Sequence, residues 1–160
     1  MEEVTATGTA EHPGLRVSRV LMVVALTTML APLNSTMIGV ALPNITSEFA
    51  TDLAHSGWLV IAYLIVMASL QPTAGKLGDR LGHRRMVLGG LVYFAVASVG
   101  AALATSFYGL LVFRIQQAIA GAIALPNGTA IMRRVVSAEE RGRRFGLVGS
   151  AVVLAAAAGP

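Results

Sequence analysis

The sequence predicts an all-α, polytopic membrane protein, with five transmembrane helices forming an incomplete bundle. Composition is the first observation: of 160 residues, 55% are hydrophobic and 12% charged, whereas soluble domains average about 45–50% apolar and about 25% charged residues. Distribution is the second. The charges fall in short clusters between five apolar runs, and a run of about 18 or more apolar residues is long enough to cross a hydrocarbon core of about 30 Å as a helix. Within lipid a helix pairs its own backbone groups, which would otherwise be left unpaired at high cost. The chain has no cysteine, which excludes disulfide scaffolds, thiolate metal sites and cysteine nucleophiles.

Residues 1–18 are polar and carry Glu2, Glu3, Glu11 and Arg16; they read as a disordered tail on the cytoplasmic side. Residues 19–160 read as one membrane domain, because no long polar segment separates the runs. The helices are expected at 20–42, 57–74, 86–104, 107–132 and 145–160. A cleaved signal peptide does not fit the first run, which continues past any such cleavage site and is followed by four more. The last run has 16 residues. At about 1.5 Å per residue it falls short of the bilayer core, so the chain reads as part of a longer protein.

Basic residues give the direction. The tail and first turn carry Arg16 and Arg19; the second junction carries Lys76, Arg80, Arg84 and Arg85; the fourth carries Arg133, Arg134, Arg141, Arg143 and Arg144. The first and third junctions have no Lys or Arg, and Glu48 and Asp52 lie in the first. Eleven of the twelve basic residues therefore fall on alternate junctions. Lys and Arg are retained on the cytoplasmic face, so the net charge of +4 and the pI near 10.3 are explained by topology, and no nucleic-acid partner is expected. Trp58, Phe107 and Tyr108 fall at the outer ends of helices, where an aromatic belt would sit.

Four groups of residues are candidates for function. Arg114 is the one basic residue inside an apolar run. Charge there is expensive, and such a residue should face a bundle interior or a watery cavity, or else snorkel to the headgroups. Gln117 lies on nearly the same face, three residues on. Asn34 and Thr36 form a polar step in the first helix that either lines a cavity or bonds a neighbouring helix. The second junction reads Gly75-Lys76-Leu77-Gly78-Asp79-Arg80-Leu81-Gly82-His83-Arg84-Arg85, with glycines suited to a tight turn and one acid among the bases. His83 reads there as a basic loop residue rather than a pH sensor. The fifth helix is thin, with Gly146, Gly149, four consecutive alanines, Gly159 and Pro160; that suits either close packing or a bending point. The sequons at Asn44 and Asn127 are treated as chance. No metal-ligand spacing, nucleophile set, P-loop or dinucleotide fingerprint is present, so neither a cofactor nor a metal is expected, and the chain does not read as an enzyme.

Together these residues resemble the major facilitator superfamily, in its fourteen-helix drug–proton antiporter branch. Gly75-x-Leu77-x-Asp79-Arg80-x-Gly82-x-Arg84 looks like the family's signature between helices two and three, with His83 where Arg is usual. The resemblance implies that this segment gates the cytoplasmic side against the far half of the transporter. Arg114-x-x-Gln117-x-x-x-Gly121 resembles the motif whose Arg is implicated in proton coupling, with Ala118 where Gly is usual. Gly146, Ala155 and Gly159-Pro160 look like the antiporter motif of helix five, with Ala155 in place of Gly. Leu33-Asn34-Ser35-Thr36 through Val40-Ala41-Leu42-Pro43 is similar to a first-helix stretch of that branch, with Asn34 in place of an acid.

The resemblance implies a multi-pass protein of a bacterial plasma (inner) membrane that exports small amphipathic compounds or drugs, by proton antiport with alternating access. Its partners would be membrane lipid, the small-molecule substrate, protons and the C-terminal half of the transporter. Asn34 cannot release a proton, which keeps two alternatives in view: a uniporter or uptake carrier of the same superfamily, or a truncated membrane protein that does not transport.

Overall fold

The computed structural model describes residues 38–135, together with residues 22, 27, 142, 143, 146, 149, 150, 153 and 154. The described residues are helical or in short turns, with no strand among them. Four stretches carry the description: α1 (38–48), α2 (Leu53–Leu81), α3 (His83–Ala102) and α4 (Phe107–Val135). The last three are long and apolar enough to cross a membrane. Most of the expected first and fifth helices lies outside the described residues, so the architecture is that of a helical membrane bundle without a count of five.

α1 places Ile38, Ala41 and Ile45 at helical spacing, and with Phe49 in the turn that follows they pack with Leu59 of α2 and Phe107 of α4. The helix ends where Ala50 takes a left-handed conformation (φ 48°). There the Thr51 N–H donates to the Thr46 carbonyl at 3.1 Å, the reach-back bond of a Schellman stop. Asp52 then caps α2 by accepting the His55 N–H at 2.6 Å. That backbone bond, reinforced by the nearby His55 ring, holds the Asp52 carboxyl below its ordinary range.

α2 buries Ser56, Leu59, Tyr63, Met67, Ala74 and Gly78 along one stripe, while Ile61, Leu64 and Ile65 are exposed. α3 behaves alike, with Val87, Gly90 and Ala97 inward and Leu88, Val92, Val96 and Val99 outward. Exposed apolar stripes of this kind are what lipid covers. α4 occupies the middle: it packs along both α2 and α3, which touch each other far less. Its sequence suits the position, because Ala118, Ala120, Ala122 and Ala124 are all buried and small residues let helices approach closely in lipid. At Gly90 an added Cβ would stand 3.0 Å from the Ala120 carbonyl, and at Gly100 it would meet the Phe113 ring at 2.2 Å.

Two expectations are corrected. The segment from Gly75 to Arg85 is not a loop: α2 runs on through Leu81, Gly82 (φ 94°) makes the whole turn, and α3 begins at His83. Hydropathy marks only the part of a helix that lies in lipid, and nothing obliges a helix to stop at the membrane surface. With 29 residues, α2 is about 44 Å long at 1.5 Å per residue, well beyond the core thickness. The second correction concerns Phe107, which is buried against Ile45 and Leu59; Trp58 and Tyr108 are exposed as an interfacial belt requires.

Candidate functional site

Two polar layers interrupt the apolar packing of α4. The first surrounds Arg114, which is only 2% exposed. Its Nη1 donates to Gln117 Oε1 at 2.8 Å, and Gln117 Nε2 donates to Ser98 Oγ of α3 at 2.9 Å. Ser98 in turn donates to the Phe94 carbonyl at 2.8 Å. The guanidinium carbon lies 5.0 Å from the centre of the Tyr63 ring of α2, an attraction worth about 2 kcal/mol when water is excluded. One cation thus gathers groups from three helices. Arg114 points inward, as a charge at membrane depth must if it cannot reach water. The Arg114–Gln117 pairing follows the expected i,i+3 spacing. Sequence reasoning missed Tyr63 and Ser98. Tyr63 had a signal, since Ser56, Leu59, Tyr63 and Met67 form a continuous i,i+3/i+4 stripe; Ser98 had only its polarity within an apolar run.

The second layer lies thirteen positions further along α4, about 20 Å at the helical rise. Asn127 is fully buried. Its Nδ2 donates to the Ala74 carbonyl of α2 at 3.1 Å and to the Ile123 carbonyl at 2.7 Å, and its Oδ1 lies 2.7 Å from His83 Nδ1. His83 Nε2 lies 3.3 Å from Asp79 Oδ1, and Arg134 Nη2 approaches the same oxygen at 3.8 Å. Room for this layer comes from Gly78: a Cβ there would stand 1.5 Å from Asn127 Oδ1 and 2.7 Å from His83 Nδ1. His83, expected as a loop residue, is 6% exposed and opens α3. Asn127 stood in the sequence only as part of a chance sequon.

The remaining candidates divide. Asp79, Arg80, Gly82 and Arg84 are exposed around the α2–α3 turn, and Gly75 faces Pro126 of α4, where an added Cβ would make ordinary contact at 3.8 Å. Gly146 is helical and exposed. Asn34, Thr36, Gly159 and Pro160 lie outside the described residues. Among the described residues no group of three His, Cys, Asp or Glu could hold a metal ion.

The family profile described as Major Facilitator Superfamily matches residues 24–160. The chain belongs to the major facilitator superfamily. Relatives with transporter names agree with it. The chain is 46% identical over 132 residues to the uncharacterized MFS-type transporter YvkA of Bacillus subtilis, covering 82% of this chain and 30% of that protein. It is 35% identical over 140 residues to the tetracenomycin C resistance and export protein of Streptomyces glaucescens, covering 88% of this chain and 26% of the relative. With the multidrug transporter protein MdtP of Bacillus subtilis it shares 33% identity over 128 residues, covering 80% and 24%. The chain therefore spans about a quarter to a third of the length of these superfamily members. Long apolar helices and this membership together make it a multi-pass membrane protein.

Proposed function

We propose that the chain forms part of a secondary active transporter, not an enzyme, that exports small amphipathic compounds or drugs by proton antiport with alternating access. One observation carries this reading: a buried cation, Arg114, is held by Gln117 and Tyr63, with Ser98 behind, across three helices. An inward-facing charge at membrane depth is a functional-site signal by default. The names of the tetracenomycin and multidrug relatives support the substrate class. In the fourteen-helix arrangement that the motifs resemble, the chain contributes part of one half. The opposing half closes the substrate site near the midplane, and rocking of the halves alternates access.

Orientation belongs to the same proposal. The contact between Asp79 and Arg134 brings the basic α2–α3 turn and the basic end of α4 together. That supports a cytoplasmic face at this end and at the N-terminus, in a plasma (inner) membrane. Asn34 favours a second reading, facilitated diffusion or uptake, because an amide releases no proton.

The test uses the intact transporter in proteoliposomes. Arg114→Ala is expected to lower export driven by an imposed pH gradient by at least about tenfold, equivalent to about 1.4 kcal/mol on the barrier. Arg114→Lys, which keeps the charge without the planar donor set, should retain part of it. Undiminished export by Arg114→Ala would remove that residue from the mechanism. Flux that ignores the pH gradient would favour the second reading.

A further inference from the structure

We propose that Pro72, the Gly89–Gly90 pair and Pro126 form a hinge at one level of the bundle, and that the helix ends beyond it swing as a single block clasped by Asn127. Each of the three helices is weakened there for a reason visible in its sequence. α2 and α4 both continue as helix through a proline. Proline has no N–H and its ring crowds the preceding turn. The carbonyls four residues back, those of Ala68 and Ala122, therefore lose their helical donor, and the helix bends there more easily. In α4, Thr129 Oγ1 also donates to the Pro126 carbonyl at 2.9 Å, a back-bond of the kind that bends helices. α3 has no proline, but two adjacent glycines lie two turns in, where the backbone resists bending least.

The three weak points are neighbours. A Cβ built on Gly75, three residues beyond Pro72, would lie 3.8 Å from Pro126 Cβ. One built on Gly90 would lie 3.0 Å from both the Ala120 carbonyl and Ala124 Cβ, in the turn before Pro126. Three residues of α-helix rise about 4.5 Å, so the weak points fall within about one turn of a common level.

On either side of that level the helices are tied together. Beyond it, the Asn127 amide donates to the Ala74 carbonyl of α2 at 3.1 Å, and its oxygen lies 2.7 Å from His83 Nδ1 at the start of α3. One side chain, directly after Pro126, thus holds three helices. Arg134 of α4 also lies 3.8 Å from Asp79 of α2. Before it, Arg114, Gln117, Ser98 and Tyr63 join the same three helices. Two cross-tied blocks joined through three weakened stretches make a hinge. Bending one helix alone would pull the Asn127 bonds apart, whereas bending all three together keeps them. In a transporter this swing changes access at the α2–α3 turn while the Arg114 layer stays intact. That consequence rests on the transporter reading; the hinge itself does not.

Leu81 stands nine residues past Pro72, so a swing of about 20°, the size of a marked helix kink, carries it through about 5 Å. The experiment uses the intact transporter in lipid nanodiscs, in a background without other cysteines, with pairs of spin labels at exposed positions. Leu81→Cys with Arg133→Cys lies within the block, and Leu81→Cys with Val112→Cys spans the hinge. Expected is a narrow distance distribution for the first pair and a broader one for the second. Pro72→Ala restores a helical donor at an exposed site, and Gly89→Ala adds a Cβ that meets nothing within 4 Å. Introduced one after the other, they should narrow the spanning distribution stepwise and leave the within-block one unchanged. A spanning distribution that neither alters overturns the hinge. A within-block distribution as broad as the spanning one overturns the single block. Asn127→Ala should broaden the within-block distribution, and no change there would remove the clasp. Should Asn127→Ala not fold, Asn127→Ser, which is too short to reach α2, is read in the same way. None of these readouts uses flux, so they stand or fall separately from drug export.

Discussion

The two polar layers of α4 solve different problems with similar materials. Around Arg114 a permanent charge is held by an amide, a hydroxyl behind it and an aromatic face. Around His83 a titratable ring is held between an amide and a carboxylate. The first layer lies among helices that pass through lipid, where a carboxylate partner would add a second expensive charge. The second lies where α2 runs past its apolar stretch, and its acid is 66% exposed. Among the described residues, the partners shown for Arg114 are neutral dipoles, whereas those at the rim include ions.

The largest expected effect comes from filling the space beneath the rim layer. In Gly78→Ala the new methyl would coincide with Asn127 Oδ1, whose amide is tied to two carbonyls. Either the amide leaves its partners or α2 moves away from α4. Overpacking of this kind costs about 1–3 kcal/mol, and a buried polar group left unpaired adds about 1–3 kcal/mol more. Thermal unfolding in detergent should show a large drop for Gly78→Ala. Gly89→Ala, at a position where an added Cβ meets nothing within 4 Å, should leave stability unchanged or raise it slightly. An equal response from both glycines would mean that Asn127 is not held as described.

The deep layer should respond more mildly, because each of its interactions is shared. Tyr63→Leu removes the face beneath the guanidinium and should cost about 1–2 kcal/mol; Tyr63→Phe keeps the face and should cost less. Ser98→Ala takes away the acceptor of Gln117 Nε2, and hydrogen bonds between membrane helices average about 0.6 kcal/mol. The ranking Tyr63→Leu over Ser98→Ala, read from unfolding in mixed micelles, tests whether the aromatic face or the hydrogen-bond chain does more to hold Arg114. The reverse ranking would shift the weight to the α3 side.

The layers also differ in how far the sequence revealed them. Long apolar runs disclosed α2, α3 and α4, because lipid imposes length and composition together. Arg114 and Gln117 were legible because both sit on one helix, three positions apart, and i,i+3 geometry brings them together without knowledge of any neighbour. The His83–Asn127 contact was not, since its partners are 44 positions apart, and the Asn127–Ala74 bond spans 53. No local periodicity encodes which face of α4 meets which turn of α2. A faint signal existed in Asn127 itself: a polar residue within an apolar run needs a partner in another helix, and Gly78 is the residue type that admits one. The end of α2 was missed because the helix continues as α-helix after its hydropathy stops.

The smallest expected effect separates rim from depth by salt. Arg134 and Asp79 are 69% and 66% exposed and 3.8 Å apart, and ion pairs of that kind contribute about 0–1 kcal/mol, less as salt screens them. Arg134→Gln should therefore change stability by no more than about 0.5 kcal/mol, and the difference from the unaltered protein should shrink between low and high salt. Tyr63→Leu should show the same loss at both salt concentrations, because its attraction lies where ions do not reach. If Arg134→Gln were as costly as Tyr63→Leu and equally indifferent to salt, the Asp79 carboxylate would be less solvated than its exposure suggests. Exposure would then no longer separate the rim pair from the deep layer.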